Sequence, residues 1–232
     1  MRIRPPAGIL AASALLLAGA LSGCGVAGTG LHPGVAAEVG DEQVTVSRVD
    51  EVTSNYCTAI REQLRGQNQV VPMRFLRSGI AGQLALVAAA EQFADEHGVE
   101  PGPEHDQKVA ELKGAVEDLP EAQQDAVIAI ESAGTYLSGV QQAVGAKLLR
   151  EQGNAQPTIE ESTEAGQKAF NEWLDEQDVS IDPQFGVELQ DGQAVPTDTS
   201  LSHAVGTTAK NGDADTPDPA YAGSLPASLR CG

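Results

Sequence analysis

Apolar residues recur at every third or fourth position along most of this chain, from Val49 to Leu174, and few of them are aromatic. That spacing places one stripe of each segment on a common face of an α-helix. With 41% hydrophobic but only 3% aromatic residues, a core has to be assembled largely from Leu, Val, Ile and Ala. In a chain of 232 residues this fits one helical domain with long polar faces better than two substantial cores. The expected fold class is mainly α, a helical bundle of about five helices with a short β-strand pair.

Residues 36–46 alternate around Gly40-Asp41 and read as a hairpin. Ser47, with Asp50 three positions later, has the spacing of a capping box. Val49, Val52, Tyr56, Ile60 and Leu64 then mark a first helix that stops at Gly66 and Asn68. A second helix is expected from Pro72 to about Glu96, on Leu76, Ile80, Leu84, Val87 and Ala88. Arg74, Arg77, Gln83, Glu91 and Gln92 interrupt it too often for a membrane span, so it reads as a core helix. Val109, Leu112, Val116 and Leu119 mark a third helix. Pro120 begins a fourth that runs to about Gln152, with Gly134, Gly139 and Gly145 as kink or close-packing points. A fifth helix, roughly residues 160–177, carries Ala169, Phe170, Trp173 and Leu174. Residues 179–186 leave it as an extended segment that turns at Asp182-Pro183. From Gln190 onward there is little to pack, and residues 212–219 have the composition of a loop or disordered tract.

At the other end, Arg2 and Arg4 precede an uncharged apolar run, residues 7–21, that is too short to cross a bilayer comfortably. This is the shape of a signal peptide. The run ends in Leu21-Ser22-Gly23-Cys24, which resembles the lipobox of bacterial lipoproteins, whose cysteine is diacylated on sulfur and becomes the first residue after cleavage. The resemblance implies a signal peptide at residues 1–23, a lipidated flexible spacer at 24–35, and a diacylglyceryl anchor on Cys24 at the extracytoplasmic face of the cell membrane. An ordinary secretory peptide, or an uncleaved anchor with Cys24 incidental, is the alternative. Cleavage would remove two arginines and no acid from a chain whose net charge is already −19. A chain that acidic, with no basic cluster, repels nucleic acid and anionic headgroups, so the anchor rather than the surface has to hold it at the membrane.

Once Cys24 carries lipid, Cys57 and Cys231 remain, in a compartment that permits disulfides. A bridge between them would tie the polar tail, residues 190–232, back onto the first helix. On the chain-entropy account it would stabilise by about 5 kcal/mol. The alternative is two free thiols.

Enzymatic readings find little support. His32, His97, His105 and His203 are scattered, and there is no HExxH, no paired CxxC and no serine in a GxSxG elbow. His97 and His105, with Glu104 and Asp106, amount at most to weak surface metal ligands. No catalytic residue, metal site or cofactor is expected. The many acids, such as Glu91 with Asp95 or Glu172 with Glu176, read as a solvated face.

The order of elements resembles the N-terminal helical domain of SurA/PrsA-like extracytoplasmic folding factors. Gly40-Asp41 with Val44, Thr45 and Val46 matches the turn and helix entry of that family. Ile181-Asp182-Pro183-Gln184-Phe185-Gly186 resembles its segment after the last helix, which runs beside the first strands. The likeness covers residues 36–189. It implies a chaperone-like protein whose partners are unfolded or exported proteins, held in a helical cradle. Candidates for client binding are Leu84, Val87, Leu137, Val140 and Trp173, each of which also reads as ordinary core. Full-length relatives carry a parvulin isomerase domain for which the 190–232 tail is too short, so no catalysis is expected. A structural or protein-interaction lipoprotein, and a residual peptidyl-prolyl isomerase, are the alternatives.

Overall fold

A computed structural model describes residues 33–197, 205–212, 214 and 218–232. The expected signal peptide, Cys24 and the expected spacer as far as residue 32 lie outside the described residues. Strands β1 (Val35–Val39) and β2 (Glu42–Thr45) form the antiparallel hairpin, and Gly40 at its turn has φ of 54°. Helix α1 (Val46–Gly66) follows at once, then the two-residue strand β3 (Val71–Pro72) and the long helix α2 (Met73–His97). Gly98, in the left-handed region, ends α2 as a glycine C-cap. Helices α3 (Pro103–Ala115), α4 (Glu121–Glu131), α5 (Ala133–Glu151) and α6 (Ile159–Glu176) complete the bundle. Strand β4 (Val179–Ile181) then pairs antiparallel with β1, giving the sheet order β2-β1-β4. The chain is thus mainly helical with short antiparallel strand pairs, and among the described residues there are eight α-helices, two of them short and in the tail.

Three local expectations are corrected. The cap of α1 is Thr45, not Ser47: Thr45 Oγ1 accepts from the Arg48 amide at 3.1 Å, because the β1–β2 ladder ends on Thr45 and the helix starts directly after it. Asp50 is therefore released from capping and instead accepts from Arg77 Nε of α2 at 2.5 Å. The expected single helix from Pro120 to Gln152 is two, broken at Ser132. There both the amide and the hydroxyl of Ser132 reach the Ile128 carbonyl, at 3.0 and 2.6 Å, and this local side-chain bond competes with the regular ladder. The tail is also more structured than its composition suggests. A 3-10 turn (Pro183–Phe185) leads into the hairpin of β5 (Val187–Gln190) and β6 (Gln193–Pro196), and α7 (Thr207–Gly212), α8 (Pro219–Ser224), a 3-10 turn (Ala227–Leu229) and β7 (Arg230–Cys231) follow. Asp191 and Gly192 both have positive φ, as the tight turn of this hairpin demands.

Helix α2 is the spine of the core. Its Ala89 and Phe93 pack with Val140 and Val144 of α5 and with Phe170 and Trp173 of α6. Its Ile80 and Ala81 pack with Val49 and Val52 of α1, and with Phe185 and Val187. Scarce aromatics are concentrated in the first of these clusters. Phe93 meets Phe170 edge-on with ring centroids 5.3 Å apart, and Trp173 lies 5.5 Å from Phe93 and donates its indole N–H to Glu96 at 2.8 Å. Elsewhere small residues let backbones touch. A Cβ on Gly145 of α5 would lie 1.9 Å from the Ser162 carbonyl oxygen of α6, which identifies Gly145 as a close-packing point rather than a kink. On α2, a Cβ at Gly82 would stand 2.5 Å from that of Ala194, so the β5–β6 hairpin sits directly on the helix.

Cys57 of α1 and Cys231 of β7 are bonded, across 174 residues, with their Cα atoms 5.7 Å apart. Both are buried, with Leu64, and β7 pairs antiparallel with β3 just before α2. The end of the chain is therefore returned to the N-terminal end of α2.

Candidate functional site

Where the tail returns, it leaves a groove. The start of α2 forms one side, the 183–197 segment a second, and the tail elements α7, α8 and the last 3-10 turn a third, around a cavity of about 650 Å³. Its size is that of a small-ligand or peptide-segment site. Pro72 comes from the end of β3, Phe75 and Gly79 from α2, Phe185 and Pro196 from the second wall, and Tyr221, Leu225 and Leu229 from the tail. Phe75 and Leu229 are 43% and 53% exposed, which is high for large apolar side chains in a chain with so few aromatics. Gly79 faces open space: a Cβ there would meet nothing within 4 Å.

The walls are held by polar contacts behind the apolar lining. Ser78 Oγ donates to the Phe185 carbonyl, joining α2 to the second wall. The guanidinium of Arg77 stands 4.5 Å over the Phe185 ring, donates to Gln184 Oε1 at 3.3 Å, and is paired with Asp50. Arg74 donates to the Gly212 carbonyl and so joins α2 to the tail wall. Two acids near the groove are engaged at turns. Asp182 Oδ1 accepts from the Gln184 amide at 2.9 Å, and Asp218 Oδ1 accepts from the Tyr221 amide at 2.7 Å, capping α8.

The five residues proposed from sequence for client binding are not brought together there. Val140 and Trp173 are buried in the aromatic cluster, Leu137 packs against the same cluster from a half-buried position, and Leu84 packs against the other. Val87 is half-buried on α2. Periodicity does not announce the groove, because Phe75 sits off the Leu76-Ile80-Leu84 stripe. An aromatic residue beside a helical stripe, rather than in it, was the available signal.

Comparison with protein-family models, with curated proteins and with solved structures gives no match.

Among the described residues the other polar groups make no second centre. His105 rests edge-on against Tyr136, with centroids 5.2 Å apart, and His97 against Phe93 at 4.6 Å, so both rings are used in packing. Among the described residues no three His, Cys, Asp or Glu side chains are grouped to hold a metal ion. The Tyr56 hydroxyl donates to Glu131, and burial, then that carboxylate, push its ionisation far above the ordinary tyrosine range. That phenol stays protonated and acts as a tie between α1 and α4. Among the described residues no helix is long and apolar enough to cross a membrane.

Proposed function

We propose that this chain is a lipid-anchored extracytoplasmic protein that binds unfolded or exported polypeptides in a chaperone-like manner, without a catalytic step of its own. The observation that carries this reading is the open, largely apolar groove between α2 and the returned tail, with Phe75 and Leu229 exposed beside it. Exposed apolar surface of this kind suits a polypeptide segment that has not yet buried its own side chains. The lipobox-like Leu21-Ser22-Gly23-Cys24 supports placement at the membrane. The pairing of β4 beside β1, following the last bundle helix, supports the likeness to SurA/PrsA-like domains. The client-binding residues in this reading are those of the groove rather than the five taken from helical stripes.

The test is direct. The purified protein, at stoichiometric excess, is mixed with an unfolded exported protein and light scattering is followed, while photo-crosslinkers placed at Phe75 and Leu229 are activated in intact cells. Suppressed aggregation together with crosslinks to exported chains is the expected result. Absence of both effects would reject the reading. The second reading, a structural lipoprotein without clients, is favoured by the closed packing around Val140 and Trp173 and predicts that outcome. Catalysed cis/trans exchange of a proline peptide would instead favour a residual isomerase.

A further inference from the structure

Among the described residues the groove lining differs from the rest of the molecule in charge as well as in apolar character. The chain carries 33 acidic and 14 basic residues. Yet among the described residues that line the groove, Arg74 is the one charged side chain and no Asp or Glu takes part. One guanidinium N–H of Arg74 is used on the Gly212 carbonyl, and among the described residues Arg74 has no carboxylate partner. A guanidinium has five N–H donors in a planar fork that fits a carboxylate. Arg77, one helical turn on, is by contrast already neutralised by Asp50.

We infer that the groove selects apolar peptide segments that carry a carboxylate next to the apolar residues, an acidic side chain or a free C-terminus, with Arg74 as the specificity-determining residue. This rests on the client-binding reading and names its substrate class. It runs against the preference that net charge alone would give. A chain at −19 attracts basic peptides over a Debye length of about 8 Å at physiological salt, and that attraction fades as salt rises. Arg74 is itself exposed, so salt weakens a contact with it too, but that contact acts at hydrogen-bond distance, well inside the Debye length, and loses less than the attraction exerted by the rest of the chain. Local and overall electrostatics therefore predict opposite orders of affinity, and salt separates them.

Fluorescence anisotropy would be measured with three labelled peptides that share one apolar core and end in two Glu, two Lys or two Ser, at 0.15 M and 0.5 M salt. At the higher salt the Glu peptide is expected to bind about fivefold more tightly than the Lys peptide, as a charge-assisted hydrogen bond at a partly exposed site would give. R74Q should bring the three peptides to similar affinities, and R74E should reverse the order. Gly79→Leu, which fills the groove without backbone strain, should weaken all three, with unchanged helicity by circular dichroism and unchanged Trp173 emission as evidence that the fold is intact. Tighter binding of the Lys peptide at both salts, or an order that R74E leaves unchanged, overturns the charge selection. If Gly79→Leu still weakens all three in that case, client binding in the groove stands. If Gly79→Leu changes none of them, the groove is not the site, and both inferences fall together.

Discussion

Gly166 of α6 lies against Gln141 of α5 so closely that a Cβ on the glycine would stand 1.7 Å from the Gln141 carbonyl oxygen. With Gly145 facing Ser162 one turn further along, the two helices touch backbone to backbone. Gly166→Ala would force them apart and disturb Val140, Val144 and Phe170 in the same cluster. A loss of about 1–3 kcal/mol, or more if the helices cannot shift, is expected in a denaturant melt. Gly134→Ala is the control: a Cβ there meets nothing within 4 Å, and the gain in helix propensity should stabilise by up to about 1 kcal/mol.

The disulfide is expected to be structural rather than a redox switch. Cys57 and Cys231 are 2% and 0% exposed, so a reductant reaches them only after local opening. Mass spectrometry after alkylation should find little modification with dithiothreitol alone and complete modification once denaturant is added. The double variant Cys57→Ser with Cys231→Ser should lose about 2–5 kcal/mol. It should also lose peptide binding, because Tyr221, Leu225 and Leu229 belong to the wall that the bridge holds. Limited proteolysis should then cut within residues 205–232 while the α1–α6 bundle survives.

The proposed lipid anchor rests on one thiol. Cys24→Ser should abolish metabolic incorporation of labelled fatty acid and move the protein out of the membrane fraction or leave its signal segment uncut. Retention of label in the variant would place the acyl group elsewhere.

Stability should rise on mild acidification through Glu91. Burial first, and then the neighbouring charges of Glu42 and Asp95, hold its carboxyl above the usual carboxylate range. The folded state therefore takes up a proton at higher pH than the unfolded chain does. Stability gained through Glu91 grows as pH falls through the raised folded value and is complete below the ordinary one, whereas at neutral pH the repulsion is fully present. E91Q should accordingly raise the melting temperature at pH 7 and leave it little changed well below the ordinary carboxylate range. An equal shift at both pH values would contradict this assignment.

Legibility in the sequence followed the range of the interactions. The stripes Val49-Val52-Tyr56 and Leu76-Ile80-Leu84 announce α1 and α2 because helical periodicity is a local property, and the left-handed residues that follow them, Asn68 and Gly98, are of the two types that adopt that conformation most readily. The break at Ser132 was hidden because apolar spacing continues across it, and its local mark is a serine hydroxyl that bonds back to the Ile128 carbonyl beside the regular amide bond. The capping box of Thr158 with Glu161 and the Asp191-Gly192 hairpin were legible local signals in segments where apolar residues are sparse. Nothing local indicated that Gly145 and Gly166 belong to one contact.

By itself, the chain's pattern of apolar residues and glycines determined helices α1, α2 and α6 and the first hairpin, since each depends on neighbours in sequence, and it offered the Cys57–Cys231 pairing on the expectation that Cys24 carries lipid. Tertiary structure alone decided which apolar residues are sealed and which remain open. Phe75, Phe185 and Leu229 are more than a hundred positions apart from first to last. They become one groove because the Cys57–Cys231 bond and the β3–β7 pairing return the tail to the start of α2. Periodicity says that a residue has an apolar face to share, but burial is a property of what the rest of the chain brings against it.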